Sequence, residues 1–380
     1  MSSVKIMSSV ASLVAVPEMP LERFIEVANR FFRNTSKKYG FKITETNRDF
    51  IELAFTINNR ERFKFRLREY IHNGIKLWII TLSDTSITIY GFKKYMTKLL
   101  KGLPGITLLW IEPEAISRII ERYGKGTALA TSIYDPFVLS KRALRKIPHE
   151  IYEEIEYKEY NIPRTIEVRI KAPTQKVKEK LKDIKRIIQV EYVDVIFRFT
   201  SLNPGPAEVL LNEDAFIGVR TKAEHEEATK KLWYDIFRNI ADHESKLIEL
   251  FYRALPKYEK IEFLNTTLTA ISEPGKPITI ALKLPKDKPI TKTDIIAYAT
   301  ALIYGASGLK GYFFYGKIIK KNDDNVVMTV FDALHGGNYH VSAFIDKIVI
   351  TPSIGATIGG LLSLYRFTRE HFNWYAEVSL

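Results

Sequence analysis

The chain has 380 residues, 46% of them hydrophobic and 12% aromatic, which suits two or three domains with real cores and excludes global disorder. Lys and Arg number 57 against 44 Asp and Glu, and the formal charge of +13 points to a polyanionic partner: nucleic acid first, then an anionic membrane, then an acidic protein. The absence of cysteine excludes disulfides, thiolate catalysis, zinc ribbons and iron–sulfur clusters, and it fits a reducing cytoplasm or a hot habitat.

The chain opens with MSSVKIMSSVASLVAVPEMP. Its apolar run at 11–16 is short and weakly charged at its start for a signal peptide, so it reads as a strand or as an alternative start at Met7. Residues 21–38 place Phe24, Ile25, Ala28, Phe31 and Phe32 on one side of a helix that Gly40 ends. A meander follows, containing FIELAFTI and RERFKFRLREYIHNGIKLWII. In the second stretch Arg62, Lys64, Arg66 and Arg68 alternate with Phe63, Phe65 and Leu67. A three-residue connection through Asn58, Asn59 and Arg60 sets Phe55, Leu53 and Ile51 opposite Phe63, Phe65 and Leu67; a two-residue connection would mix the faces. A turn at Asn73-Gly74 then brings Leu67 opposite Ile80 and Phe65 opposite Leu82. On the other face Arg62, Lys64 and Arg66 meet Thr56, Ala54 and Glu52, so only Glu52 pairs with the row. The row reads either as a track for phosphates or as edge cations that prevent aggregation.

The helical stretch around KKYMTKLLKG carries Phe92, Tyr95, Met96 and Leu99 on its apolar side and Lys94, Lys98 and Lys101 on another, a solvated face or a phosphate contact. GITLLWIEPE reads as a buried strand and ISRIIERYG as a helix, closing an N-terminal α+β module at 1–134. Residues 135–162 are a charged connector: a basic half with Lys141, Arg142, Arg145 and Lys146 precedes an acidic half able to bind it. A middle module, 163–255, has the order β-α-β-β-α. Its first helix, capped by Thr174, turns Lys178, Lys182 and Lys185 outward, and a Thr221/Glu224 capping box opens a long helix toward Arg253. A C-terminal module, 256–380, contains a helix capped by Thr291, four short strands and a closing helix from Gly355 to about Tyr375. The uncharged run 348–365 holds Pro352 and three glycines, so it reads as a buried strand and helix and not as a membrane span. The fold class is α+β, with two or three modules of antiparallel β-meanders backed by helices.

Catalytic patterns are weak. GKGT lacks the spacing of a phosphate-binding loop, and HEEAT has Thr229 where a zinc-protease helix has its second histidine. His225 and His243, 18 positions apart, are about 27 Å apart on one helix. Asp332, His335 and His340 in DALHGGNYH fall around a Gly336-Gly337 hairpin, with the two histidines facing across it. Ser353 in KIVITPSIGATIGG resembles a nucleophile elbow with Thr351 in place of the first glycine; close packing through Gly355, Gly359 and Gly360, or anion binding at a helix start, are the other readings.

These features favour a non-catalytic, cytoplasmic, nucleic-acid-binding subunit of a larger complex, with no cofactor, no metal and no membrane. Its candidate phosphate contacts are the cations of the three stripes and the connector, and Tyr70 and Tyr95 are structural aromatics or base-stacking platforms. The alternatives are an enzyme, either a hydrolase using Ser353 or a metal-dependent nuclease, and a scaffold for an acidic partner. In size, charge and architecture, with charged hairpins such as RERFKFRLREY, the chain resembles the accessory subunits that accompany short archaeal Argonautes. That resemblance implies joint binding of a guide RNA and its DNA target with a short Argonaute partner, in antiviral defence. Subunits of CRISPR effector complexes are similar in the same respects.

Overall fold

The computed structural model describes residues 7–33, 38–83, 87–123, 127–134, 165–173, 194–199, 207–222, 225–263, 266–283, 290–305, 312–322, 325–372 and 375–380. The chain divides into two compact units: the described residues of Met1–Tyr134 with Thr165–Lys246, and those of Leu247–Leu380. The connector cations Lys141, Arg142, Arg145 and Lys146, and the Thr174 helix with Lys178, Lys182 and Lys185, lie outside the described residues.

The first unit is built on one antiparallel sheet. Its strands are β1 (Met7–Pro17), β2 (Tyr39–Thr46), β3 (Ile51–Ile57), β4 (Arg60–His72), β5 (Ile75–Leu82), β6 (Ile106–Leu108), β7 (Thr127–Tyr134), β8 (Thr165–Pro173), β9 (Asp194–Phe199), β10 (Ala207–Asn212) and β11 (Phe216–Lys222). They run in the order β2-β3-β4-β5-β1-β11-β10-β9-β7-β8, with β6 also paired to β1. The segment read as a middle module thus adds its strands to the sheet of the first module. The N-terminal apolar run is the central strand, with Leu13 opposite both Ile80 of β5 and Phe216 of β11. Leu13, Val14, Ala15 and Val16 are fully buried, and burial on both faces is why this strand reads as a continuous apolar run.

The helices α1 (Leu21–Arg33) and α2 (Ile89–Leu100) cover one face. Phe24 meets Trp78 edge-on with ring centres 5.5 Å apart, and Phe92 meets Phe63 at 5.9 Å, within one core that also takes Phe55, Phe65 and Leu67. Two further helices are α3 (Pro113–Tyr123) and α4 (Glu226–Ala254), the latter belonging to this unit up to Lys246. Trp233 of α4 donates its indole N–H to Ser12 of β1 at 2.7 Å, which places α4 on the opposite face of the sheet.

Three local expectations need correction. The β3–β4 register is the one that keeps the apolar face intact, but the connection is a two-residue turn. Asn58 and Asn59 both take positive φ, +52° and +63°, and a bulge after Phe55 restores the register. Thr56 therefore faces Glu61, and Arg62 falls at the bulge without a partner position of its own. On α2 the buried stripe is Ile89, Phe92, Met96 and Leu100, whereas Tyr95 is 50% exposed and Leu99 is partly buried. Thr221 is no helix cap: it sits in β11, and its hydroxyl bonds that of Thr229, one turn into α4.

In the second unit, β12 (Lys257–Phe263) and β13 (Thr266–Glu273) pair as a ribbon of their own. The remaining strands are β14 (Ile278–Lys283), β15 (Phe314–Lys321), β16 (Asn325–Asp332), β17 (Asn338–Phe344), β18 (Lys347–Pro352) and β19 (Tyr375–Ser379). They form a sheet in the order β15-β16-β17-β18-β14-β19. Burial alternates strictly along β16, β17 and β18, so one face is core and the other is open. The core is closed by α5 (Lys292–Thr300), opened by a Thr291/Asp294 capping box and continued by a π-helical turn at Ala301–Gly305, and by α6 (Ile358–Phe372). The run 348–365 is β18 followed by α6, and among the described residues no helix is long and apolar enough to cross a membrane.

Candidate nucleic-acid interface

Strict alternation along β4 sends Phe63, Phe65 and Leu67 into the core and leaves Lys64, Arg66 and Arg68 on the other face. That face has an aromatic centre. Asn47 accepts the backbone N–H groups of Asp49 and Phe50 at 2.9 Å each, and this turn holds Phe50 beside the row. The Arg66 guanidinium stands 4.5 Å from the Phe50 ring centre and that of Arg68 stands 5.7 Å away. Part of the charge is already matched. Arg66 Nε donates to the largely buried Glu52 at 3.2 Å, and the Thr44 hydroxyl donates to the same carboxylate at 3.3 Å. Lys64 reaches Glu61 only at 4.0 Å. Arg68 has no carboxylate partner among the described residues.

The face extends beyond β4. Lys42 of β2 lies opposite Ala54, which lies opposite Lys64, so the two lysines share the surface about 10 Å apart. Lys42 was missed because β2 was not read as a strand, although Phe41 and Ile43 alternate with Lys42 and Thr44, and Phe50 was read only as the first residue of the strand FIELAFTI. At the other end of β4 the surface is closed by α4. Tyr70 packs edge-on against Phe237 at 5.1 Å, its hydroxyl lies 3.5 Å from that of Tyr234, and His72 Nε2 meets Asp242 at 2.8 Å. The Tyr234 hydrogen bond, with burial, raises the Tyr70 phenol above its ordinary pKa. Tyr70 is thus occupied by packing, whereas Tyr95 is exposed.

The lysines of α2 lie elsewhere. Because α2 packs on the apolar face of β4, its outer surface looks away from the Arg66 face. An open cleft of about 530 Å³ separates α2 from the β10–β11 turn, lined by Tyr90, Lys93, Lys94, Lys98 and Lys101 on one side and Asp214 on the other. Lys101 binds Asp214 at 2.7 Å, and Lys93 stands 5.8 Å from the Phe216 ring centre. The two described basic stripes therefore do not merge into one surface. Side chains on successive strand positions must point to opposite faces, and the helix took the apolar one.

The other candidates have local roles. Asp332 accepts the N–H groups of Leu334 and His335, and His335 Nδ1 meets the same carboxylate at 2.9 Å. Ser363 Oγ approaches that same nitrogen at 3.4 Å, whereas a serine–histidine–aspartate relay needs its partners on opposite ring nitrogens. His340 sits within β17 opposite Thr329 and Thr351, so it does not face His335. Ser353 N–H donates to Asn338, and Ala356 N–H donates to the Ser353 carbonyl. The helix start beyond it is capped by Thr357, which accepts the Gly360 N–H at 3.1 Å. A Cβ on Gly360 would lie 2.0 Å from the Tyr339 hydroxyl, so this glycine serves close packing.

A cluster that sequence reasoning missed joins Glu112, beside the start of α3, to His243 and Glu244 of α4, with ligand-type atoms all within 4.8 Å of one another. Glu112 N–H donates to Glu244 at 3.0 Å, and His243 Nδ1 lies 3.0 Å from Glu244 and 3.6 Å from Glu112. Burial pushes the Glu244 carboxyl up to about 7, and the bond to Glu244 raises His243. The group holds protons near neutrality and ties α4 to α3. Its members lie some 130 positions apart, which no local pattern signals.

No protein-family model matches the chain, and no curated protein matches it.

Proposed function

We propose that the chain is a non-catalytic nucleic-acid-binding subunit of a larger assembly, gripping backbone phosphates with the outer face of β2–β4. The observation that carries this reading is the cationic face of Lys42, Lys64, Arg66 and Arg68 around Phe50, only part of whose charge is matched by Glu52 and Glu61. Guanidinium and ammonium groups on a strand contact phosphates without reading bases, so binding is salt-dependent and nearly indifferent to sequence. Catalysis belongs in this reading to a partner protein, and the resemblance drawn from the sequence proposes a short Argonaute for that place.

The test is fluorescence anisotropy with labelled single strands and duplexes of DNA and RNA across a salt series. A Lys42→Glu, Lys64→Glu, Arg68→Glu variant leaves the Arg66–Glu52 pair intact and is checked for folding by circular dichroism. If three phosphate contacts are lost, the slope of log affinity against log salt becomes shallower by about 2–3. A folded wild type that binds none of the four probes, or a variant that binds with unchanged slope, overturns the proposal.

A further inference from the structure

We infer that the cleft between α2 and the β10–β11 turn is a second, separate anion site, built for a chain of linked phosphates such as that of a nucleoside triphosphate. The inference does not depend on the role assigned to the β2–β4 face.

The cleft has the size of a small-molecule site, about 530 Å³ against the roughly 300–1,000 Å³ usual for such clefts. Its charge is one-sided. Among the described residues that line it, Lys93, Lys94, Lys98 and Lys101 stand against a single carboxylate, that of Asp214. Helical spacing sets the pattern: positions 94, 98 and 101 follow one another on one side of α2, with neighbouring Cβ atoms about 5–6 Å apart. Lys101 is fixed by Asp214, whereas Lys94 and Lys98 are exposed and have no carboxylate partner among the described residues. Two adjacent ammonium groups on flexible stems can close on oxygens of neighbouring phosphates, each contact being charge-assisted.

One further observation fits this ligand. Tyr90, 44% exposed, sits one turn before Lys94 and offers a flat face on which a base can stack. The helix is held rigidly beneath them. The Thr88 hydroxyl caps α2 by accepting the Gly91 N–H at 3.1 Å, and Phe92 and Met96 are fully buried.

The experiment is isothermal titration calorimetry of the full chain with sodium tripolyphosphate, ATP and adenosine, at low salt and without divalent metal. Tripolyphosphate and ATP are expected to bind at one site per chain, and adenosine is not. In a Lys94→Glu, Lys98→Glu variant both affinities fall about tenfold or more, while the Lys42→Glu, Lys64→Glu, Arg68→Glu variant binds tripolyphosphate like the wild type. ATP binding tighter than tripolyphosphate binding, with the excess lost in Tyr90→Ala, supports a nucleotide as the source of the phosphates. Equal binding of the two supports the phosphate chain alone. Absence of tripolyphosphate binding to the folded wild type overturns the inference, as does binding that the Lys94/Lys98 variant leaves undiminished. Because the nucleic-acid proposal is tested on the other variant, either can fail alone.

Discussion

The two units treat a buried titratable group in opposite ways. In the first, His243 and Glu244 sit with Glu112 in a hydrogen-bonded group that favours keeping protons. In the second, His371 of α6 is 1% exposed among the rings of Tyr298 and Phe367, and burial pulls its imidazole down to about 3. What separates them is depth and company together: His371 is fully buried among rings, whereas His243 is only partly buried and has a carboxyl group beside it. A carboxylate neighbour repays the cost of burying a charged imidazole, while aromatic edges and faces do not repay it in full. The sheets differ in a parallel way. The first is covered on both faces at its centre, and the second keeps one face open.

Core truncation gives the largest contrast. Trp78→Ala removes a fully buried ring from the first unit and is expected to cost about 3–5 kcal/mol. Hydrogen exchange read peptide by peptide should show the loss in β1, β4 and β5; unchanged protection there would mean that α1 does not anchor the sheet. Next comes Gly360→Ala, which drives a methyl group into the Tyr339 hydroxyl and is expected to cost about 1–3 kcal/mol, read as lost protection in β17 and α6.

The pH responses follow and run against each other. For His371 the unfolded chain takes up a proton near 6.5 and the folded one only near 3. The unfolded state thus binds more protons in that window, so the stability of the second unit is full above about 6.5 and falls on acidification. His371→Phe should flatten this limb in urea titrations of the second unit's peptides. Glu244 has the reverse sign. Its folded pKa of about 7 lies above the ordinary 4.5, so its contribution is full below about 4.5 and is lost as pH rises through 7. His243, also raised, adds to the loss on the alkaline side. Glu244→Gln should reduce the alkaline decline of the first unit; an unaltered slope would show that the carboxyl ionises freely there. The smallest effect is expected from Tyr95→Ala, whose exposed ring should change stability by no more than about 0.5 kcal/mol.

Much of the β3–β4–β5 meander was legible because one buried face admits a single register, and a slip of one residue would expose Phe63, Phe65 and Leu67 together. The turn was misjudged because left-handed asparagines and a bulge reach the same register by another path. On α2 the inward stripe is centred on Ile89, Phe92, Met96 and Leu100, and Tyr95 falls about 100° from that centre, so its apolar ring stays outside. The short strands β2 and β19 escaped notice, the first because Lys, Thr and Glu outnumber its apolar residues on the exposed side. The four cations of β4 were visible as a row, but their aromatic centre and their separation from the α2 lysines were not. Those depend on which face a distant helix covers, as the Glu112–His243–Glu244 group depends on two helices meeting.

The central place of β1 also sets a schedule for synthesis. Leu13 pairs with Phe216, about 200 residues further along the chain. At roughly 5–20 residues per second, β1 leaves the ribosome about 10–40 s before that neighbour is made. During that interval this strand has β5 on one side and, along residues 7–13, a bare row of N–H and C=O groups on the other, the condition in which strands of neighbouring chains pair by mistake. A slow stretch of message before β11 would lengthen the exposure, crowding on polysomes would raise the rate of such encounters, and a chaperone that holds extended apolar segments would have its natural client in residues 7–17.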